Sequence, residues 1–185
     1  MAQQVFISFD IEAEGPVPLI HHLRMVGFVV IDTNKNILDR KEWSVVRQEG
    51  CITDPACMTE FWAHNKELQQ FIDKNALSVE TCMNQLNAWL KQVYATYKKV
   101  TWIARPASYD TQWINGPLNK WCTDKEIVTV PYSVHCISTT KRICDMLDIQ
   151  VTDSKDQLTH RAVEDAEFQA LMYVDMLDKL KAYKK

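Results

Sequence analysis

The segment Val5-Phe-Ile-Ser-Phe-Asp-Ile-Glu-Ala-Glu-Gly15 decides the fold of this 185-residue chain. It is dense in apolar residues, which is typical of a β-strand. Because side chains alternate between the two faces of a strand, Asp10 and Glu12 should project together from its end. Phe9 and Ile11 should then point into a core on the other face. Two adjacent carboxylates repel each other unless a cation lies between them, and Mg²⁺ or Mn²⁺ prefers such oxygen ligands.

Length, composition and charge favour a single globular domain over residues 1–185. Hydrophobic residues make up 46% and charged residues 24% of the chain, and no apolar run approaches the ~20 residues needed to span a membrane. The N-terminus lacks a signal-peptide pattern, so a cytoplasmic protein is expected. The net charge of −3 argues against broad binding to duplex nucleic acid, but bound metal ions could still hold a short polyanion.

Periodicity and turn signals predict an α/β fold in which three antiparallel strands come first and helices then alternate with strands. The predicted sheet is mixed and five-stranded, with helices flanking it. Its strands are the opening segment and residues 24–32, 37–46, 100–104 and 127–130. The predicted helices begin at Thr53 (with a break near His64-Asn65) and at Ser78, and then cover 109–121 (with a break at Gly116-Pro117), 138–147 and 162–180.

Two further acidic positions extend the first pair. Asp110 follows the predicted strand 100–104, at the carboxyl end where α/β sheets place their sites, although an Asp that merely begins a helix would look the same. His160 and Asp165 are five residues apart and cannot share one face of a helix. For both to reach one site, His160 should lie before the last helix and Asp165 on it. A surface imidazole and a solvated carboxylate are the alternative.

The joint pattern resembles the motifs of the DEDDh 3′–5′ exonucleases, which are DnaQ-like and RNase T-like proteins with a ribonuclease H-like fold. Residues 160–166 look like the third motif of that family almost residue for residue, and the resemblance extends from Phe6 to about Leu171. Pro106 stands where many members have Asn, and Ala13 stands where many have Thr. With these two residues, the first and second motifs look closer to those of a divergent phage or bacterial exoribonuclease branch.

The resemblance implies a two-metal hydrolase that uses two Mg²⁺ or Mn²⁺ ions and releases nucleoside 5′-monophosphates. Asp10 is expected to bridge both ions, Glu12 and Asp165 to complete the first site, and Asp110 to serve the second. His160 is expected to accept the proton of the attacking water.

The implied substrate is a single-stranded 3′ end, with RNA favoured and DNA as the alternative. Phe61 and Trp62 either stack on its bases or pack in the core. The resemblance also places Ala13 among the substrate-binding residues, and Glu60 could contact the terminal sugar hydroxyl. No membrane partner is expected, and a homodimer is consistent with the superfamily.

Two other functions fit parts of the pattern. An RNase H-like endonuclease would use a carboxylate set but not His160. A catalytically silent domain of the same fold, which only binds nucleic acid or protein, would need none of the five site residues.

Overall fold

The computed structural model describes residues 3–152 and 159–183, which build one sheet with helices on both faces. The strands are β1 Gln4–Ala13, β2 Leu23–Asp32, β3 Ile37–Ser44, β4 Lys99–Ala104 and β5 His135–Cys136. They lie in the order β3-β2-β1-β4-β5. The β1–β2 and β2–β3 pairs are antiparallel, whereas β1–β4 and β4–β5 are parallel. The predicted mixed five-stranded sheet is therefore confirmed.

Helices connect β3 to β4 and β4 to β5, and further helices follow β5. They are α1 Pro55–Glu60, α2 Lys66–Asn75, α3 Val79–Thr96, α4 Ala107–Trp121, α5 Ile137–Met146 and α6 Ala162–Tyr183. A 3₁₀ turn at Trp62–His64 separates α1 from α2, at the predicted break. Ser78 caps α3 as expected, since its Oγ accepts a hydrogen bond from the backbone N–H of Thr81 at 3.1 Å. Within the described ranges, none of these helices has both the length and the apolar character to cross a bilayer.

The two faces of β1 serve two different layers. Val5, Ile7, Phe9 and Ile11 belong to a core that packs against α3 and α4. Phe6, on the other face, packs with α6. Because residues two apart share a face, Asp10 and Glu12 also lie on the α6 side of the sheet. The alternation predicted from the opening segment is therefore confirmed.

The fifth strand was predicted in the wrong place. Residues 127–130 form no strand, and His135–Cys136 pairs with β4 instead. Side-chain amides satisfy the backbone of the predicted segment: Asn87 Oδ1 accepts from Val128 N at 2.8 Å and Asn115 Oδ1 from Val130 N at 2.9 Å. Because these N–H groups already have partners on α3 and α4, the β-branched run does not need a strand beside it.

The predicted break in α4 at Gly116-Pro117 was also wrong. The helix continues to Trp121 with Pro117 inside it. Pro117 and Leu118 are buried, Leu118 belongs to the core that contains the β1 side chains, and the backbone N–H of Cys122 bonds to the Leu118 carbonyl at 3.0 Å. Tertiary packing thus outweighs the helix-breaking tendency of one proline.

Candidate active site

Four carboxylates converge at one edge of the sheet, beneath the start of α6. Asp10 and Glu12 come from the carboxyl end of β1. Since β4 runs parallel to β1, α4 begins at the same edge and brings Asp110 there in its first turn. Asp165 lies in the first turn of α6. Glu12, Asp110 and Asp165 are only 9%, 3% and 4% exposed as whole residues.

Burial and mutual repulsion make it unfavourable to ionise these four carboxylates together. Burial, and then the charge of Asp165, raise the pKa of Asp10 from 3.8 to about 7, although a hydrogen bond from Gln169 lowers it. Burial raises the pKa of Glu12 well above its usual value, and the other three carboxylates raise it further. Burial, followed by the charge of Asp10, likewise raises the pKa of Asp110. Charged together, the carboxylates need a compensating cation.

The loop before α6 places His160 at the mouth of this group. His160 has a left-handed backbone, with φ of 58°, and α6 begins two residues later at Ala162. Its Nδ1 lies 3.9 Å from Glu12 Oε1, and its side chain is 40% exposed. The backbone N–H of Thr159 donates to Asp165 Oδ1 at 2.9 Å and so ties the loop to the helix. His160 therefore precedes the helix and Asp165 lies on it, the arrangement that the sequence spacing requires.

The donor set fits a hard divalent cation. Ligand atoms of Glu12, His160 and Asp165 lie within 4.8 Å of one another. Asp110 Oδ2 is buried and has no hydrogen-bond partner among the residues that the structure describes. An unpartnered buried carboxylate oxygen beside other raised-pKa carboxylates is the environment that a cation with oxygen ligands stabilises.

Gln169 is a site residue that sequence reasoning missed. Its Nε2 donates a 2.8 Å hydrogen bond to Asp10 Oδ1, and its side chain is buried. The two residues are far apart in sequence, but Gln169 lies four positions after Asp165 and therefore on the same face of α6. That helical spacing was the sequence signal that could have identified Gln169 as a site residue.

Two clefts adjoin the carboxylates. The α1 cleft has a volume of about 310 Å³ and is lined by residues that include Ala13, Gly15, Cys57, Glu60 and Tyr109. The α2 cleft has a volume of about 700 Å³ and is lined by residues that include His64, Lys66, Leu68, Phe71, Thr159 and Arg161. Phe61 directly follows Glu60 of the α1 cleft in the chain and lies three residues before His64 of the α2 cleft. The centre of its ring lies 4.9 Å from the centre of the His160 ring.

The structure contradicts the base-stacking role considered for Trp62. Its side chain is 1% exposed and packs with Met25, Leu68 and Ile72. Its Nε1 donates to the Ala13 carbonyl at 3.1 Å, so both the ring and its polar atom are used inside the protein. Phe61, in contrast, is half-buried, and its ring lies against that of His160.

A buried ionic network just beyond Glu12 was also missed. Glu14 is fully buried and pairs with the buried Arg24. Both carboxylate oxygens of Glu14 also accept hydrogen bonds from Arg47 Nε at 3.0 Å. Arg24 pairs in addition with Asp73 of α2. The network anchors the segment after β1 to α2, and no local spacing in the sequence signals it.

No protein-family model matches the chain, and no curated protein matches it by sequence. Solved structures nevertheless share its fold. The nuclease domain of 3′hExo, a DEDDh family member bound to rAMP, superposes with a TM-score of 0.62 and 14% identity, covering 95% of this chain and 92% of that one. A full-length 3′-exonuclease superposes with a TM-score of 0.64 and 14% identity, covering 96% of this chain and 83% of that one.

The metal-free form of an E. coli ExoI–ssDNA complex gives a TM-score of 0.66 at 13% identity. It covers 97% of this chain, which spans only 40% of the length of that protein. The chain thus has the ribonuclease H-like fold found in these 3′ exonucleases.

Proposed function

We propose that this chain is a metal-dependent 3′–5′ exonuclease that releases nucleoside 5′-monophosphates from a free 3′ end. The observation that carries the proposal is the convergence of Asp10, Glu12, Asp110 and Asp165 at one sheet edge, with His160 at its mouth. The fold shared with 3′ exonucleases supports the same activity.

The four carboxylates are the groups that would hold two divalent cations, Mg²⁺ or Mn²⁺. Such cations, when bound, lower the pKa of a water ligand and neutralise charge on the reacting phosphate. The protein's part is positioning. The carboxyl end of β1 fixes Asp10 and Glu12, and two helix starts bring Asp110 and Asp165 to them.

His160 is the proposed general base. Imidazole suits proton transfer near neutral pH. The exposed position of His160 lets it reach a water at the site while the substrate enters, and the ring of Phe61 supports it from one side.

The terminal nucleotide is proposed to bind in the α1 cleft. Ala13 and Glu60 line this cleft, and Phe61 is the next residue after Glu60. Recognition would come from stacking on Phe61 rather than from reading base sequence. Glu60 is exposed, and its carboxylate can accept a hydrogen bond from a terminal 2′-hydroxyl, which favours RNA over DNA. A single domain over residues 1–185, a cytoplasmic location and a homodimer stay predictions from sequence.

The test uses 5′-labelled single-stranded RNA and DNA oligomers with Mg²⁺ or Mn²⁺. Stepwise shortening from the 3′ end is expected, with complete loss in EDTA and in Asp10→Asn. Asp178→Asn, an exposed acid further along α6, is the matched control and should keep full activity. Shortening that survives Asp10→Asn would refute the proposal. Internal cuts that persist in His160→Ala would identify an RNase H-like endonuclease instead.

A further inference from the structure

The α2 cleft shares none of its lining residues with the α1 cleft, where the terminal nucleotide is proposed to bind. Its lining residues Thr159 and Arg161 flank His160 in sequence, and His160 Nδ1 is 3.9 Å from Glu12 Oε1. The α1 cleft includes Ala13, the residue next to Glu12. Both clefts therefore adjoin the carboxylates, one through the neighbour of Glu12 and the other through the two neighbours of His160.

A strand cut at the carboxylates has to occupy space on both sides of the scissile phosphate. One side needs room for the leaving nucleotide only, whereas the other has to hold the remaining strand. The volumes match that asymmetry, since the α2 cleft measures about 700 Å³ and the α1 cleft about 310 Å³.

We propose that the α2 cleft binds the nucleotides on the 5′ side of the scissile phosphate, with Lys66 contacting a backbone phosphate and Phe71 with Arg161 contacting a base. The proposal rests on the proposed exonuclease function and adds the path of the retained strand. It commits the protein to an unpaired strand, because bases that stack on protein side chains are not paired in a duplex.

The chemistry of the lining supports a single-stranded polyanion. Lys66 is exposed at the start of α2 and makes no ion pair within residues 3–152 and 159–183. Glu67 is the opposing charge in the lining. The guanidinium carbon of Arg161 lies 3.9 Å from the centre of the Phe71 ring, and Glu42 holds that guanidinium at 2.6 Å. Such a fixed pair of planar groups suits stacking by any base.

Lys66→Glu tests the phosphate contact, with Lys74→Glu as its control. Both lysines are exposed and belong to α2, but Lys74 lies in its last turn, away from the cleft. An acidic residue suits the first turn of a helix, so lost binding in Lys66→Glu cannot be attributed to a weakened helix. Equal thermal midpoints of the variants and the wild type check the fold.

Binding is measured by fluorescence anisotropy with 5′-labelled RNA oligomers of two to six nucleotides. Ca²⁺, which also takes oxygen ligands, replaces the metal so that the strand is not consumed. We expect wild-type affinity to rise with length, and Lys66→Glu to weaken binding of the longest oligomer by at least about threefold and to lower the slope of log K against log salt by about 0.7. Lys74→Glu should bind as the wild type does.

Hydrolysis separates this proposal from the proposed function. The p-nitrophenyl ester of thymidine 5′-monophosphate has no phosphate other than the scissile one, so its hydrolysis by the wild type tests the chemistry without the phosphate contact of the α2 cleft. Lys66→Glu should raise the KM for the oligomer, and Lys74→Glu should not. A wild type that cleaves neither substrate contradicts the exonuclease function. The oligomer-binding measurement still tests whether the α2 cleft holds the strand. Equal binding by Lys66→Glu and the wild type, no gain with length, or no binding at all would each overturn the α2-cleft proposal.

Discussion

Gly27 and Ala162 are in backbone-to-backbone contact: a Cβ on Gly27 would lie 2.1 Å from the carbonyl carbon of Ala162. Gly27 is also the strand partner of Asp10 in the β1–β2 pair. The missing side chain therefore lets the start of α6 rest directly on the sheet beside Asp10. This approach brings His160 and Asp165 over the β1 carboxylates.

Gly27→Ala should displace the start of α6 and separate the two halves of the site. Because the clash is with backbone atoms, no side-chain rotation can relieve it. A displacement of about 1 Å at a reacting group can cost about 10²-fold in rate, and we expect a loss of at least this size in kcat on a labelled oligomer. Gly116→Ala is the control, since its Cβ would meet only Leu19 side-chain atoms at 3.5 Å or more. Wild-type kcat in Gly27→Ala would contradict this account.

Gln169→Leu should weaken metal binding without unfolding the protein. Leu keeps much of the volume but cannot donate the 2.8 Å hydrogen bond to Asp10 Oδ1. Loss of a partner that orients a metal ligand typically lowers metal affinity about 10- to 100-fold. Calorimetric titration with Mn²⁺ measures the change directly, and exposed Gln70→Leu on α2 serves as the control. Unchanged Mn²⁺ affinity in Gln169→Leu would show that Asp10 does not depend on this contact.

The metal-free protein should lose stability as pH rises from about 4 to about 7. The pKa of Asp10 is 3.8 in the unfolded reference and about 7 in the folded protein, so the folded state binds more protons over this interval. The contribution of protonated Asp10 to the free energy of unfolding is fully present below the unfolded-state pKa. It is lost as pH rises through the folded-state pKa, which lowers stability by roughly 2–4 kcal/mol. Urea unfolding in EDTA at several pH values measures this change in the free energy of unfolding.

Asp10→Asn is the matched variant for this pH dependence, and its stability should change less with pH. Saturating Mg²⁺ or Mn²⁺ should restore stability at pH 7 in the wild type, since the cation binds the ionised carboxylates of the folded state. A metal-free wild type that is equally stable at pH 4 and pH 7 would contradict the burial of charge in the site.

Arg24→Met should be strongly destabilising because it leaves Glu14 buried without its closest partner. Breaking a buried ion pair on one side costs about 3–5 kcal/mol, and the remaining contact from Arg47 places the expected loss near the lower end. The double variant Arg24→Met/Glu14→Leu removes both charges and should recover much of that loss. Urea denaturation of the three proteins provides the comparison, and a double variant no more stable than Arg24→Met would show that the pair itself supplies the stability.

The sequence was sufficient for the strand that carries Asp10 and Glu12 and for the helix that carries Asp165, because their signals are local. Alternation identified the inner and outer faces of β1, and the spacing of His160 and Asp165 required a loop followed by a helix. The resemblance to exonucleases predicted that these residues meet in one site, which no single strand or helix predicts by itself.

What the sequence could not supply depends on contacts between distant segments. The amides of Asn87 and Asn115 hold residues 127–130 out of the sheet, and strand propensity contains no information about them. Trp62 is buried because α2 folds back over β2, which its apolar neighbours alone do not specify. The closeness of Gly27 to α6 likewise appears only once the helix is docked.

The parallel pairing of β1 with β4 also affects the order in which the site can form. Asp10 and Asp165 lie near opposite ends of the described chain, and Asp110 reaches them only after the crossover from β1 to β4 has closed. Contacts between such distant positions carry a large loop-closure entropy, so we expect them to form after the local β1–β3 meander. A partly folded chain can therefore contain the antiparallel β1–β3 meander and still have no place to bind metal, which delays hydrolytic competence until α6 docks.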